Sequence, residues 1–442
     1  MLQKIQALGG LFLQKYFYLF FFSLFLLSRV FVLSNPPAFY SDVTHYHEKY
    51  ANAWYYGLTP YLEYSFEYGP AAAGLIYAPL LLDQNGIGEY YLDYRFIMFS
   101  FDALLFFVLL KSHRKLQSTS TVGIFLYLLI TTLGKDWLYE GIDMAFVSVA
   151  MLCVFTYLSH SKLQRASSWL TYWLSTAIKF LTLPLVVPIY LLNRQKFTIS
   201  ILIAAVGFLV VWGGPLMVFR SSLSVPFVLN AERTIKYNTI TDTIIRSINF
   251  YSRTEKRSDL PPDFSWVGPV STSAKKVVDT VYPVSLLIVL AWSSVLIFKT
   301  EKPKGKVLST DVVKQFFKAN ELSSQTKHSL LLTIYFVYFL TSFLTAKIYS
   351  NPFLLWVLPM LIIYRWTTPL KRNIYFICTL VWGVMELTPF LSAQNLGLAT
   401  MTWFNGEAYD ITLGWLRWAL VIAILVLVVA DARKKKFSKL LY

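Results

Sequence analysis

Acidic and imidazole side chains are concentrated in one stretch that follows the first apolar run of the chain. Residues 39–74 read FYSDVTHYHEKYANAWYYGLTPYLEYSFEYGPAAAG. Asp42, near the start, is a candidate general base, because a carboxylate can take the proton from an attacking hydroxyl group. The alternative interpretation is a carboxylate that only caps a helix at a membrane interface. Glu67 is the second candidate carboxylate of this stretch.

The same stretch contains two histidines, in the pattern His45-x-His47-Glu48. Residues two apart on a helix point about 200° away from each other, so two such imidazoles do not readily share one ion. The sequence therefore indicates no metal and no other cofactor, although it leaves a divalent metal open. It also contains no plausible nucleotide-binding, hydrolase or zincin motif. Any activated donor is accordingly expected in a lipid-linked form.

Several ionisable residues interrupt the apolar runs or lie at their edges: Asp102, Asp143, Lys179, Lys347 and Arg417. Such residues are costly in a bilayer and mark either a functional site or a structural ion pair inside the bundle. For Lys179, which has short apolar arms on both sides, we favour function.

Basic side chains near the outer mouth of the protein can hold a phosphate leaving group through charge-assisted hydrogen bonds. We expect Lys179 and Lys347 to do so, together with Arg95 and Arg220.

The elements that position these residues follow from the composition. Of the 442 residues, 56% are hydrophobic and only 14% are charged, whereas soluble proteins carry about 25% charged residues. Apolar runs of roughly 17–25 residues recur, which is the length of a membrane-crossing helix. We predict an all-α polytopic membrane protein with about 12 spans: 16–34, 94–112, 119–134, 142–159, 165–178, 180–193, 197–217, 280–299, 328–345, 350–365, 373–389 and 411–430.

The distribution of charge predicts the orientation. With the N-terminus inside, the inner loops and tails contain 24 of the 40 Lys and Arg residues but only four of the 24 acids. Lys and Arg favour the cytoplasmic side, so both termini are predicted to be cytoplasmic and the first span a retained anchor. The net charge of +16 then faces anionic lipid, which argues against a nucleic-acid partner.

Two long segments are predicted outside, 35–93 and 218–279. In the first, we expect a surface helix over 42–56, with Tyr46, Tyr50, Ala53 and Trp54 on one side, and a second surface helix after Pro70. The charged inner loop 299–327 is predicted to end in another surface helix.

Six short patterns, in this order, resemble the GT-C glycosyltransferases, multi-span enzymes that use polyprenyl-phosphate sugars. They are SDVTHY, GLTPY, FEYGPAAAGLIYAPLLL, EGIDMA, AIKFLTLPLVVPIYLL and AKIYSNPFLLWVLP. The chain is most similar to the mannosyltransferases of GPI-anchor assembly and to bacterial polyprenyl-phosphate-mannose-dependent enzymes. The resemblance covers about residues 41–360.

The resemblance implies an inverting transfer in the outer half of the membrane, with Asp42 as the base. Some relatives have a second acid where this chain has Thr44, which argues against a paired-carboxylate or metal-bridging role. The family's aromatic-Pro-Pro reads Tyr68-Gly69-Pro70 here, which is expected to alter the bend of the loop. The substrate pocket is expected to include His45, Tyr46, Tyr68 and Asp143.

The resemblance also implies a catalytic module over 1–365, followed by C-terminal helices and a basic tail over 366–442. The expected partners are a polyprenyl-phosphate sugar, most plausibly mannose, and a glycolipid, glycan or protein acceptor. We favour a bacterial plasma membrane over the endoplasmic reticulum. The alternative function is a polytopic transporter or flippase for a lipid or a lipid-linked glycan.

Overall fold

The computed structural model describes residues 2–37, 41–116, 121–158, 162–193, 197–236, 238–253, 255–258, 265–301, 322–386 and 406–435. Within these ranges the only strands are β1 (Lys256–Ser258) and β2 (Ser265–Val267), which pair antiparallel. The remaining regular structure is helical, so the predicted helical class is confirmed apart from this short hairpin.

The α-helices before the hairpin are α1 (Leu2–Ser34), α2 (Glu48–Tyr55), α3 (Pro70–Gln84), α4 (Tyr90–Lys115), α5 (Val122–Leu133), α6 (Asp143–Thr156), α7 (Lys162–Ile178), α8 (Val186–Asn193), α9 (Phe197–Phe219), α10 (Val225–Glu232) and α11 (Ile240–Ser252). Those after it are α12 (Pro269–Glu301), α13 (Ser324–Thr345), α14 (Met360–Ile363), α15 (Pro369–Met385) and α16 (Gly406–Lys434). A π-helical turn precedes α2 (Val43–His47), and 3-10 turns precede α8 (Phe180–Leu185), α10 (Arg220–Ser224) and α14 (Asn351–Trp356).

Among the residues that the structure describes, six helical segments are long and apolar enough to cross a membrane, so the protein is membrane-embedded. They are Tyr16–Ser34, Tyr90–Lys115, Ile199–Glu232, Pro269–Thr300, Ser324–Thr345 and Ala408–Lys434. A helix rises 1.5 Å per residue and needs about 20 residues to cross the roughly 30 Å hydrocarbon core. The other six predicted spans coincide with helical segments of 17 residues or fewer, including α5 with 12 and α6 with 14. The number of 12 crossings therefore stays a prediction.

Burial distinguishes central helices from peripheral ones. In α13, 78% of the most apolar window is buried inside the protein, whereas only 11% is buried in the segment Ile199–Glu232. A helix that is hydrophobic all round and also exposed must face another apolar medium. We infer that α13 forms the centre of the bundle and that α9 faces lipid.

The ends of several helices meet at one end of the bundle, which is rich in Lys and Arg. Lys115 at the end of α4 donates to the carbonyl of Leu158, and Lys371 near the start of α15 pairs with Asp431 of α16 at 3.0 Å. The opposite ends of α4 and α15 therefore point towards the other end of the bundle, where the candidate site lies. Residues 302–321, where we predict the surface helix of loop 299–327, lie outside the described residues. The tail after residue 435 also lies outside them.

The helix predicted over 42–56 is present but begins differently. It comprises the π-helical turn Val43–His47 and α2, and the chain leaves it at Gly57, whose φ is +95°. Val43, His47 and Ala51, which are four residues apart, are buried against the bundle. Tyr46, Tyr50 and Trp54 are half-buried.

Several cations of the membrane-length helices form buried ion pairs. Arg29 of α1 pairs with Asp102 of α4 at 2.7 Å, and the hydroxyls of Tyr127 and Tyr139 also donate to that carboxylate. All four residues are fully buried. This arrangement favours the structural interpretation of Asp102.

A second pair joins the last two long helices of the described chain. Arg417 of α16 lies 3.0 Å from Glu386, which follows α15, and Tyr349 and Trp382 donate to the same carboxylate oxygen. Arg417 therefore also has a structural role in the bundle.

Candidate functional site

The start of α6, the end of α7 and the segment after α1 converge at the end of the bundle away from the Lys- and Arg-rich one. Asp143 is the first residue of α6, and Lys179 directly follows α7. Lys179 has extended backbone angles, φ −136° and ψ 126°, because the chain leaves α7 there and enters a 3-10 turn. This break in the helix turns the Lys179 side chain towards Asp143.

Asp143 and Lys179 form a close ion pair, and aromatic rings pack against the ammonium. The Lys179 Nζ lies 2.6 Å from Asp143 Oδ1, and the indole N–H of Trp356 donates to the same oxygen at 2.7 Å. The ammonium also lies 5.1 Å from the ring centroid of Trp356 and 5.2 Å from that of Phe353. Such distances allow cation–π attraction. About 15% of the Lys179 side chain stays exposed, so an anion can reach the ammonium.

Asp42 lies near this ion pair, but its own carboxylate is not paired within the described residues. It precedes the π-helical turn, is half-buried, and makes no hydrogen bond or ion pair with the described residues. Burial and the charge of Asp143 raise the pKa of Asp42 to about 6, against the opposing effect of Lys236 and Lys179, and Glu140 raises it further. An accessible carboxylate whose pKa lies just below neutral pH suits a general base.

Glu140 anchors the backbone on both sides of Asp42. The Ser41 hydroxyl donates to Glu140 and accepts the backbone N–H of Val43 at 3.2 Å. The other carboxylate oxygen of Glu140 accepts the hydroxyl of Tyr91 at 3.1 Å. Burial is the main cause that raises the pKa of Glu140. Glu140 thus fixes the start of the π-helical turn and contributes negative charge near Asp42.

The contacts of Arg95 give no support to its predicted phosphate-binding role. This residue is fully buried, and its Nε lies 3.2 Å from Glu140. Its terminal nitrogens donate to the carbonyls of Val32 and Leu33 at 2.9 and 3.2 Å. The guanidinium is therefore used to join the end of α1 to Glu140, and no face of it is open to a phosphate.

Glu67 is engaged rather than open. It forms an ion pair with Arg233, which follows α10 and belongs to the second predicted outer segment. The pair fastens that segment to the first outer segment beside the site. Glu67 therefore connects the two outer segments, and its contacts give no support to its predicted catalytic role.

Lys347 also binds the second predicted outer segment. Its ammonium lies 2.6 Å from Asp279 and donates to the carbonyl of Ala231 at 2.9 Å, and its own carbonyl accepts the backbone N–H of Lys236 at 3.0 Å. Lys347 thereby holds the segment that carries Lys236. The positive charges of Lys236 and Lys179 both act on Asp42 and lower its pKa.

The structure places the other predicted site residues as follows. Tyr68 lies inside the site, where its ring contacts His47 edge to face at 5.8 Å and where burial raises its pKa, with Asp42 and Asp143 acting in the same direction. His45 is exposed and bonds to the Ser41 carbonyl at 2.9 Å, and Tyr46 is half-buried.

Arg220 is not part of this cluster. It is exposed after α9, in a left-handed backbone conformation with φ +48°, and no hydrogen bond or ion pair in the described structure connects it to the site.

Gly69 permits the approach of α3 to α7. The N–H of Gly69 donates to the carbonyl of Ile178 at 3.1 Å, and a Cβ at Gly69 would overlap the carbonyl of Ala177. Because Lys179 follows directly, this close contact sets the position of its ammonium. The departure from aromatic-Pro-Pro at Tyr68-Gly69-Pro70 thus has a steric reason in this chain.

Sequence reasoning missed Glu140 and did not single out Lys236 or Trp356. Glu140 carried a usable signal, since it lies three residues before Asp143 in a short loop predicted to be outside. Lys236 was one of several cations in a long segment, and nothing local distinguishes it. Trp356 carries an N–H that has to find a partner when buried, but the sequence does not show which one.

No group of three or more His, Cys, Asp or Glu suited to a metal occurs among the residues that the structure describes. Comparison with protein-family models, with curated proteins and with solved structures gives no match. Function therefore has to be argued from the site itself.

Proposed function

We propose that this protein is a membrane glycosyltransferase that moves a sugar, mannose in our proposal, from a polyprenyl-phosphate donor to an acceptor hydroxyl with inversion. The observation that carries the proposal is Asp42. It is an accessible carboxylate with a pKa of about 6 and no bonding partner in the described structure, and the charges of two lysines act on it at one end of a membrane-embedded bundle.

The chemistry follows from this arrangement. Asp42 accepts the proton of the acceptor hydroxyl while that oxygen attacks the anomeric carbon from the face opposite to the phosphate. The bond between the anomeric carbon and the phosphate oxygen breaks, and the polyprenyl phosphate leaves with the electron pair. Positive charge placed where the leaving group develops negative charge lowers the barrier. Lys179 and Lys236, whose charges act on Asp42, supply that charge in our proposal.

The ion pair of Asp143 orients Lys179 without removing its positive charge from the site. Asp143 holds the ammonium on one side, and Trp356 and Phe353 hold it from the ring faces. A donor phosphate that approaches the exposed part of the ammonium adds a second anionic partner. A membrane location suits such a donor, because its polyprenyl chain stays in the lipid beside the bundle.

The first test compares purified wild type with Asp42→Asn in proteoliposomes that contain labelled polyprenyl-phosphate mannose and extracted membrane lipids or glycans as acceptors. We expect loss of transfer by roughly 10²- to 10⁴-fold, since that is the usual contribution of a general base. Asp83→Asn is the matched control, because Asp83 lies in the same outer segment near the end of α3. Full transfer by Asp42→Asn would remove Asp42 as the base.

The same vesicles separate the enzyme from a transporter. A transporter would move labelled lipid across the bilayer and leave the sugar–phosphate bond intact, whereas the proposed enzyme produces a new glycoside of inverted configuration. Movement without a covalent product in wild type would overturn the proposal. A glycolipid, a glycan and a protein are all tested as acceptors, and the bacterial plasma membrane is the location we propose.

A further inference from the structure

Two buried polar side chains beside Asp42 have no hydrogen-bond partner in the described parts of the chain. His47 ends the π-helical turn and is fully buried, and neither ring nitrogen is bonded. Tyr94 of α4 is also fully buried, and its hydroxyl is likewise without a partner. The two ring centroids are 5.1 Å apart, so the unbonded atoms belong to one local cluster.

Such atoms are exceptions that need a cause. Buried polar side chains in native proteins nearly always find a partner, and leaving one unbonded costs free energy. The neighbouring tyrosines follow the rule: Tyr90, one turn earlier on α4, donates to the carbonyl of Ile76 at 3.0 Å, and Tyr61 donates to that of Tyr68 at 2.7 Å. The chain is thus able to satisfy buried hydroxyls here, but it leaves His47 and Tyr94 unsatisfied.

The position of the cluster connects it with the site. The charge of Lys179 acts on His47, and the charges of Asp143 and Asp42 act on Tyr94. The π-helical turn that carries His47 starts directly after Asp42, and π turns occur frequently at functional sites. Burial, followed by the effect of Lys179, lowers the pKa of His47 to about 3, so its imidazole is neutral at pH 7.

The chemistry of these atoms selects the ligand. A neutral imidazole offers one donor and one acceptor, and a tyrosine hydroxyl also offers both. An ionised phosphate has only acceptors and a metal ion only accepts lone pairs, so neither matches the whole set. Neighbouring hydroxyl groups of a sugar each donate and accept, and they match all of it.

We propose that His47 and Tyr94 form a hydroxyl-binding subsite for the sugar of the donor, on the side of Asp42 that faces α4. This inference rests on the proposed function. Because the unbonded atoms have no exposed surface, the sugar enters only when the Val43–His47 turn moves away from α4. The cost of the unsatisfied atoms is then recovered when the sugar binds.

Thermal unfolding of the ligand-free protein in detergent is the first test. Tyr94→Phe removes only an unbonded hydroxyl, so we expect its Tm to equal or exceed that of wild type. Tyr90→Phe is the matched control from the same helix, and its Tm should fall because it loses a formed hydrogen bond. A fall for Tyr94→Phe as large as that for Tyr90→Phe would show that the hydroxyl already has a partner in the ligand-free protein, in the chain or in an ordered water, and would overturn the proposal.

Steady-state transfer is the second test, with polyprenyl-phosphate mannose and with donors that lack one sugar hydroxyl each. Tyr94→Phe should raise KM for the full donor by roughly tenfold to a hundredfold, the usual effect of one lost hydrogen bond in a desolvated site. With wild type, one of the deoxy donors should show the same increase in KM. With Tyr94→Phe that donor should show no further increase, as expected when the missing sugar hydroxyl is the one that contacts Tyr94. His47→Gln should give the same pattern with another deoxy donor.

Wild-type kinetics in both variants would overturn the subsite while leaving the proposed function intact. Absence of transfer by wild type would overturn the proposed function and the choice of a sugar as ligand. The unfolding comparison does not depend on transfer and still reports whether the Tyr94 hydroxyl is unsatisfied.

Discussion

The pKa of Asp42 gives the strongest quantitative prediction, because charges of both signs act on it. Burial and the carboxylates of Asp143 and Glu140 raise this pKa from 3.8 to about 6, while Lys236 and Lys179 oppose them. A base must be ionised, so kcat/KM should rise with pH through about 6. A group with a pKa of 6 is about 9% ionised at pH 5 and about 91% at pH 7, so transfer should fall about tenfold between pH 7 and pH 5.

Removal of single charges should move this midpoint in opposite directions. Unit charges about 10 Å apart interact by roughly 0.4–1.7 kcal/mol for effective dielectric constants between about 80 and 20, or about 0.3–1.2 pKa units. Lys236→Met should therefore raise the apparent pKa of Asp42, and Glu140→Gln should lower it. Lys236→Arg keeps the positive charge and should leave the midpoint in place.

The assay is initial transfer from labelled polyprenyl-phosphate mannose at saturating acceptor and constant ionic strength, between pH 4.5 and 8.5. The opposite signs matter more than the sizes, because a general loss of folding lowers the whole profile without moving its midpoint. The reasoning would be refuted if both variants kept the wild-type midpoint or if both moved it in the same direction.

The same shift also predicts a stability difference. A native pKa above that of the unfolded chain means that the contribution of Asp42 to stability is present below pH 3.8 and is lost as the pH rises through about 6. The difference of about two units corresponds to about 3 kcal/mol at neutral pH. The neutral amide of Asp42→Asn avoids the free-energy cost of holding an ionised carboxylate in this site. The variant should therefore unfold at a higher temperature than wild type at pH 7.5, with a smaller difference at pH 5. Equal midpoints at both pH values would contradict the raised pKa.

Two further predictions concern the scaffold. Gly69→Ala should lower both the unfolding temperature and transfer, because the added methyl group meets the backbone of α7 just before Lys179. Gly74→Ala, in the helix that follows and with open space around it, should behave as wild type in both measurements. Asp102→Ala should destabilise the protein by about 3–5 kcal/mol in denaturant unfolding, since it leaves the guanidinium of Arg29 buried without its carboxylate. The double variant Arg29→Met/Asp102→Leu removes both charges and should recover most of that stability; a double variant as unstable as Asp102→Ala would show that the charge itself is not the cause.

Local signals in the sequence were sufficient for many elements. Gly57 predicted the end of the first surface helix, and a backbone with φ +95° is present there. Pro70 predicted the start of the second, and α3 begins at that residue. The π-helical turn Val43–His47 at the start of the first helix was not predictable, because nothing in the local sequence distinguishes it from a regular turn.

The residues of the site show the same division. Asp143 and Lys179 stood out in the sequence because charge interrupts apolar runs, and they form one ion pair. Arg95 stood out for the same reason, yet its partners are Glu140 and the end of α1. Sequence identifies a costly charge but not its partner, since the partner comes from an element that is distant in the chain.

The sequence by itself determined that this protein is helical and membrane-embedded, because composition and the length of apolar runs fix the solvent in which a chain can fold. It also offered Asp42 as a candidate, through the resemblance of the SDVTHY segment to a motif of a known family. Only the tertiary structure decided that Asp42 has no bonding partner in the described chain, that Lys236 approaches it from about 190 residues away, and that Glu67 is paired with Arg233. The reason is that a pKa and an open hydrogen bond depend on distances between groups, and those distances are set by packing rather than by order in the chain.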